Sequence, residues 1–213
     1  METTNNEMTA ERSLEIIRKN IEESRRRITQ GSWKSMMLWG ISVVVIALVV
    51  GHFWAHGIGP AANGLWGLLG ITYLIDYKVL TPRPKLPETF VSKTLSQIWS
   101  SFGIMAGTIG FGMGMLAMLN VKVALPTFMS DDYLRGLTHV SITSLIILLM
   151  GIAGMITGRI LKSRVITVSC FVSGLLGSFL ALVYAGPLEM LVMAGAAVIG
   201  LIVPAVVIKM KED

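Results

Sequence analysis

The sequence predicts an all-α fold: a polytopic membrane helix bundle with six transmembrane helices arranged as three hairpins, preceded by an N-terminal cytoplasmic amphipathic helix. Three observations predict it. Of the 213 residues, 53% are hydrophobic and only 15% are charged, whereas soluble domains carry about 25% charged residues. Ten charged residues crowd between Glu11 and Arg27. Beyond them lie apolar runs long enough to cross a bilayer. The predicted organisation is a cytoplasmic head over residues 1–31 and a transmembrane domain over residues 32–213.

The head is predicted to be one helix, with Thr9 as its N-cap and Gly31 as its stop. Residues spaced three or four apart share a face of a helix, and one stripe, roughly 80° wide, carries most of the apolar residues of the head. The stripe comprises Ala10, Leu14, Ile17, Ile21, Ser24 and Ile28. This narrow width is typical of a seam between two helices rather than of the broad face of a core helix.

The stripe must be covered by something, and the sequence leaves three destinations open. The helix could lie on the inner leaflet with its arginines among anionic headgroups, pair with a second copy in a homodimer, or dock another membrane or regulatory protein. Nucleic acid is not a predicted partner, because acidic residues interleave with the basic ones and no stacking aromatics accompany them. The predicted contact residues are Leu14, Ile17, Ile21, Ile28, Arg25, Arg26 and Arg27.

The transmembrane helices are predicted from apolar runs of about 20 residues, the length that a helix needs to cross the hydrocarbon core. Charged residues or turns rich in Pro and Gly separate the runs, and proline lies in or beside the outer turn of each predicted hairpin. The second run is the weakest, because Gly57, Gly59, Pro60 and Asn63 crowd its start. The six predicted spans are residues 36–55, 58–77, 95–119, 137–160, 165–185 and 188–208.

The basic residues predict the direction of these spans. With six spans, sixteen of the eighteen Lys and Arg residues fall on one side of the membrane, and only Lys122 and Arg135 fall on the other. Cytoplasmic loops carry the excess of basic residues in multi-span proteins. Both termini are therefore predicted to be cytoplasmic. A count of five or seven spans would scramble this pattern.

Glycines at helical spacing on two spans predict close contact between helices. In lipid, small residues that let two backbones approach provide much of the association between helices. Packing is the ordinary interpretation, and a glycine-lined path for a substrate is the alternative. The glycines are Gly103, Gly107, Gly110 and Gly114 on the third span and Gly151, Gly154 and Gly158 on the fourth.

Candidate chemistry is sparse. His52 and His56 are spaced i, i+4 and could chelate a metal ion together with a third ligand. The candidates for that ligand are Asp131, Asp132 and Glu189. Histidines beside Phe53 and Trp54 are also ordinary headgroup-level residues. No metal is expected, and the pair is a weak candidate. The sequence contains no G-x-S-x-G, H-E-x-x-H, Walker or dinucleotide glycine pattern. No Asp, Glu, Lys or Arg lies near the middle of a predicted span, and Asp76, Arg159 and Glu189 lie at span ends, within reach of the interface. We therefore expect no enzyme activity and no cofactor.

Both ends of the chain carry a resemblance. The string ERSLEIIRKNIEESRRRITQGSWKSMMLWG joins an amphipathic helix to a Trp-rich first span, and IGLIVPAVVIKMK forms the last span. Together they resemble the ends of a group of small, uncharacterised multi-span bacterial membrane proteins with an N-terminal amphipathic helix. In that group the gene often lies beside a winged-helix transcriptional regulator. The resemblance implies a bacterial inner-membrane location and a role in membrane-linked sensing or stress response, and it implies no functional residues.

These observations predict a non-enzymatic inner-membrane protein that senses, scaffolds or regulates a partner through its cytoplasmic N-terminal helix. The alternative is a transporter or channel for an uncharged or lipidic solute. Its path would be bordered by the glycines of the third span and by Thr138, Ser141 and Ser144. The predicted partners are the lipid bilayer and either a second copy of the chain or another membrane or regulatory protein.

Overall fold

The computed structural model describes residues 10–80, 89–119, 141–184 and 186–211, and within these ranges every regular element is helical, with no β-strand. The all-α prediction is confirmed for this part of the chain. Three short segments wind as π-helical turns and one as a 3-10 helix, and the other elements are α-helices. In chain order these are α1 (Ala10–Phe53), α2 (Leu69–Ile75), α3 (Phe90–Met118), α4 (Ile142–Ile160), α5 (Arg164–Val183), α6 (Glu189–Ala197) and α7 (Val203–Lys209).

Four helical stretches in the described residues are long and apolar enough to cross a membrane. The first lies within Arg12–Leu80, two are α4 and α5, and the last is Glu189–Lys209, which contains α6 and α7. Helix α3 has 29 residues, and the four stretches found within the described residues do not include it. Several helices therefore suit a membrane, whereas six spans in three hairpins stays a prediction.

Helix α1 runs without interruption through Gly31 and Ser32, so the predicted stop at Gly31 is wrong. A glycine inside a helix costs only about 1 kcal/mol relative to alanine, and packing of Trp33 and Met36 on the rest of the bundle offsets that cost. The Ser32 hydroxyl donates back to the Thr29 carbonyl oxygen at 2.8 Å. The 44 residues of α1 extend about 66 Å. The predicted boundary between head and transmembrane domain falls inside this helix.

The chain reverses after α1. Gly57 and Gly59 have φ of +106° and +66°, in the left-handed region that suits glycine. Residues 59–80 then return beside α1, and Asp76 accepts hydrogen bonds from Ser35 Oγ and Trp39 Nε1, both at 3.0 Å. The predicted second span is thus adjacent to the first. It starts as a 3-10 helix and ends as a π-helical turn, with α2 between them.

The closest pairing of helices joins α4 to α5. These helices correspond to the fourth and fifth predicted spans, which belong to different predicted hairpins. A short turn, Leu161 to Ser163, connects them. Along the pair the two backbones touch: a Cβ added to Gly151 would lie 2.5 Å from Gly174 Cα, and one added to Gly158 would lie 2.5 Å from the Thr167 backbone nitrogen. Such contact is possible only because these positions carry no side chain.

Buried apolar residues form two clusters. The larger is built mainly from the second half of α1 with α4, α5 and α6. The smaller cluster lies where residues 21–36 of α1 meet the start of α3, the α4–α5 turn and the end of α7. We call this region the basic end because Arg159, Lys162 and Lys209 lie there. The smaller cluster comprises Val91, Leu95, Leu161, Ile166, Cys170 and Ile208.

Candidate functional site

The stripe on α1 is covered in part by the chain itself. Ile21 and Ile28 pack against the cluster at the basic end, together with Trp33 and Met36. Between them Ser24 is buried, and its hydroxyl donates to Thr89 Oγ1 at 2.7 Å. The second half of the stripe thus contacts α3 and the α4–α5 turn, a destination within the chain that the three sequence-based alternatives did not include.

The first half of the stripe is uncovered. Leu14 is 66% exposed and Ile17 is 53% exposed, although both lie on the same helical face as Ile21. Single exposed apolar residues are common on protein surfaces. Exposed apolar residues that share one helical face instead indicate a contact site. Of the three arginines, Arg26 and Arg27 are exposed. Arg25 is half-buried, and its Nε is a buried atom without a hydrogen-bond partner in the described residues.

Ion pairs lie beside the covered half of the stripe. Glu22 Oε2 lies 3.1 Å from Lys162 Nζ in the α4–α5 turn and 3.4 Å from Arg25 Nη1. A hydrogen bond and the positive charge of Lys162 hold the pKa of Glu22 below its ordinary value of 4.5. The Glu22 and Lys162 side chains are about 60% exposed, so water screens the pair and its strength is that of a surface ion pair.

We expect this ion pair to be lost in acid. Because the pKa of Glu22 is lower in the folded chain than its ordinary 4.5, the pair contributes fully above that pH and weakens as the pH falls through the folded value. In an NMR titration of the Glu22 carboxyl, Lys162→Gln should move the midpoint up toward 4.5. Lys209→Gln, a change at the basic end outside the pair, should leave it in place. Equal midpoints in wild type and Lys162→Gln would contradict the assignment.

A second polar site lies at the opposite end of α4, α5 and α6. Glu189 is only 1% exposed. Its carboxyl oxygens accept hydrogen bonds from Ser141 Oγ at 3.0 Å and from the Gly186 backbone N–H at 2.9 Å. Glu189 was predicted to lie at a span end within reach of the interface, but its side chain is buried there. The signal that could have located it is the acidic residue in the first turn of a helix that follows Gly-Pro.

The serines proposed for a solute path are engaged in this site. Ser141 bonds Glu189, and Ser144 Oγ donates to the Ser178 carbonyl oxygen at 2.9 Å. Both bonds hold α4 to its neighbours. Thr138 lies outside the described residues. The serines therefore act as hydrogen-bonding contacts between helices in the part of the chain that the structure describes.

The two histidines lie at the end of α1 and in the π-helical turn that follows it. The imidazole centroids of His52 and His56 lie 4.2 Å apart, and both side chains are exposed. His56 Nδ1 lies 2.7 Å from the His52 carbonyl oxygen, which makes Nδ1 the donor. No group of three or more His, Cys, Asp or Glu occurs within the described ranges. Of the three predicted third ligands, Asp131 and Asp132 lie outside those ranges. Glu189 is buried and accepts hydrogen bonds from Ser141 and from the Gly186 N–H.

The two sets of glycines are placed differently. Gly151, Gly154 and Gly158 all lie in the α4–α5 contact, with Gly154 against the thiol of Cys170. On α3, an added Cβ would meet no atom within 4 Å at any of the four predicted positions. Helix packing against these four glycines is therefore not observed in the described residues, and their packing role stays a prediction. They are Gly103, Gly107, Gly110 and Gly114.

No protein-family model, curated protein or solved structure matches this chain. The resemblance of its two ends to small multi-span bacterial membrane proteins therefore stays a prediction.

Proposed function

We propose that this chain is a non-enzymatic protein of the bacterial inner membrane, with six spans and both termini cytoplasmic, which senses, scaffolds or regulates a partner protein through its N-terminal helix. The observation that carries the proposal is the divided stripe on α1. Ile21 and Ile28 are covered by the chain itself, whereas Leu14 and Ile17 are exposed. The exposed pair is the surface that we assign to the partner.

The continuity of α1 favours a protein partner over the lipid surface. A helix that extends without a break from Ala10 to Phe53 keeps one axis. If its apolar second half crosses the bilayer, its first turns point away from the membrane and cannot lie flat among the headgroups. The two exposed residues are also too few for a stable coiled coil of two copies, which needs several heptads. A short apolar face of this kind is suited to binding in a groove on another protein.

Contacts at the basic end support the proposed direction. Glu22 of α1 pairs with Lys162 of the α4–α5 turn, and Lys209 at the end of α7 lies 5.2 Å from the ring centroid of Trp33. Segments that the six-span arrangement places on one side of the membrane are therefore neighbours in space. Basic residues gather on the cytoplasmic side, so this end is the one that we assign to the cytoplasm.

The proposal predicts which substitutions abolish partner contact. A photoreactive residue at position 14, in cells that make the full chain, should crosslink to one discrete protein. Adding Ile17→Asp should reduce that crosslink at least tenfold, since a buried charge costs several kcal/mol. Ile16→Asp, which adds the same charge off the stripe, should reduce it less than twofold. If the crosslinks reach only lipid or another copy, or if Ile17→Asp leaves them unchanged, the assignment fails.

A second candidate is a transporter or channel for an uncharged or lipidic solute. The observation that favours it is a groove between α5 and α6 whose lining is almost wholly apolar and includes Leu176, Gly177, Leu180, Leu191 and Gly195. A lipidic solute would suit such walls. Proteoliposomes that carry the chain should then move a fluorescent lipid between leaflets faster than empty vesicles, and equal rates would exclude this candidate.

A further inference from the structure

Three cationic side chains surround a shallow pocket at the turn between α4 and α5. Arg159 lies in the last turn of α4, Lys162 lies in the connecting turn, and Arg164 begins α5. All three are exposed, and Thr167 and Val168 complete the wall that α5 contributes. Cations gathered around a concave surface attract an anion, and arginine in particular matches the geometry of a phosphate group.

The backbone of the turn places the middle cation at an unusual position. Lys162 has a φ of +54°. The Ser163 N–H donates to the Gly158 carbonyl oxygen at 2.8 Å and the Lys162 N–H to the Arg159 carbonyl oxygen at 3.2 Å. This pattern ends many helices, and the position that Lys162 occupies is usually glycine. A glycine would fit the backbone better, so the lysine side chain is present at an energetic cost.

The surroundings of the pocket indicate a lipid. Helices α4 and α5 are each long and apolar enough to cross a membrane, so the turn that joins them lies at the level of the headgroups. Below Arg164 on α5, an exposed apolar track begins. Val168 is 60% exposed, Phe171 53% and Leu175 39%, at the i+4, i+7 and i+11 positions that share a helical face.

We propose that this pocket binds the phosphate of an anionic phospholipid, whose acyl chain follows the track of Val168, Phe171 and Leu175 along α5. The charge of Arg159, Lys162 and Arg164 complements the phosphate, and the apolar track distinguishes a lipid from a free phosphate ion. Basic pockets at helix ends are the type of site in which membrane proteins hold anionic headgroups.

Glu22 competes with the lipid for one of the cations. Its carboxylate lies 3.1 Å from Lys162 Nζ, on the side of the turn that faces α1. A phosphate bound in the pocket would share Lys162 with Glu22 or replace it. Removing the charge with Glu22→Gln should therefore strengthen lipid binding, which is the opposite of the effect of removing a cation.

The test is a titration of the purified, delipidated full chain in neutral detergent, followed by native mass spectrometry. Phosphatidylglycerol is the probe and phosphatidylcholine is the zwitterionic comparison. We expect one phosphatidylglycerol to bind in preference to phosphatidylcholine. Each pocket cation contributes about fivefold near a membrane surface, so Lys162→Gly should weaken binding about fivefold and the double variant Arg159→Gln, Arg164→Gln roughly twenty-five-fold. Glu22→Gln should tighten it about two- to fivefold.

Two controls make the outcome decisive. Lys78→Gln removes an exposed cation outside the pocket and should change affinity less than twofold. Protection of the buried Cys170 thiol from labelling reports that each variant is folded. If the double variant fails this check, Lys162→Gly decides, because glycine suits the turn. Equal binding of the two lipids, equal losses in Lys78→Gln and the pocket variants, or displacement of the lipid by millimolar inorganic phosphate would each overturn the proposal.

Discussion

Gly151→Leu should separate α4 from α5 and lower the free energy of unfolding by about 3 kcal/mol. A Cβ at this position would lie 2.5 Å from Gly174 Cα and 3.0 Å from the Cys170 carbonyl oxygen. Both neighbours are backbone atoms, so no side chain can rotate away, and the helices must move apart. Movement there also opens the adjacent contact of Gly154 with Cys170, because the same face carries both.

The matched control is Gly107→Leu on α3, where an added Cβ meets no atom within 4 Å. Its effect should stay within about 1 kcal/mol, in the direction of stabilisation, since leucine is a better helix former than glycine. Cys170 is the single cysteine and is buried. The rate at which its thiol is labelled in increasing denaturant therefore measures unfolding of both variants. Equal labelling rates for the two variants would show that the backbones of α4 and α5 are not in close contact at Gly151.

Glu189→Ala should be nearly as damaging, with a loss of about 3 kcal/mol. The substitution removes the carboxyl oxygens that accept from the buried Gly186 N–H and from the Ser141 hydroxyl, and the loss of a buried hydrogen-bond partner costs about 1–3 kcal/mol. The Ser141 hydroxyl can turn to the Ala181 carbonyl oxygen, which lies 3.3 Å away, so most of the loss comes from the Gly186 N–H.

Glu189→Gln is the conservative comparison for this site. Its amide oxygen can still accept from the Gly186 N–H, and we expect a loss of about 1 kcal/mol, as for a single hydrogen bond. The same labelling of Cys170 provides the measurement. A Glu189→Ala variant as stable as wild type would mean that the carboxyl does not hold the loop at Gly186 to the helix bundle, and its burial would then need another reason.

The positions of the apolar helices were largely predictable. Helix α5 and the Glu189–Lys209 stretch differ from the predicted spans 165–185 and 188–208 by one or two residues at each end. Their ends are marked by features that act locally: basic residues, a Gly-Pro turn, and a loss of apolar side chains. The stop at Gly31 was predicted by the same local logic and was wrong, because contacts of Trp33 and Met36 with distant residues outweigh the weak preference of one glycine.

Pairings between elements were not predictable. Gly107 and Gly151 belong to similar glycine patterns, yet only Gly151 meets another backbone. A helical period identifies a face and says nothing about what the face touches. The stripe on α1 illustrates the same limit, since its pattern indicated burial but not that Ile21 would find its cover within the chain. The position of Glu189 at a helix start was predictable, but its burial was not, because that depends on hydrogen bonds from the Gly186 N–H and from Ser141.

During synthesis, α4 and α5 would enter the bilayer together as one unit. The connection from Leu161 to Ser163 is too short for one helix to insert while the other stays behind. Pairing of neighbouring helices requires little loop closure and is therefore fast. If the turn is cytoplasmic, as we propose, its cations oppose transfer across the membrane and keep the turn on the side on which the chain is made. Helices α6 and α7 would then pack against an α4–α5 pair that has already formed.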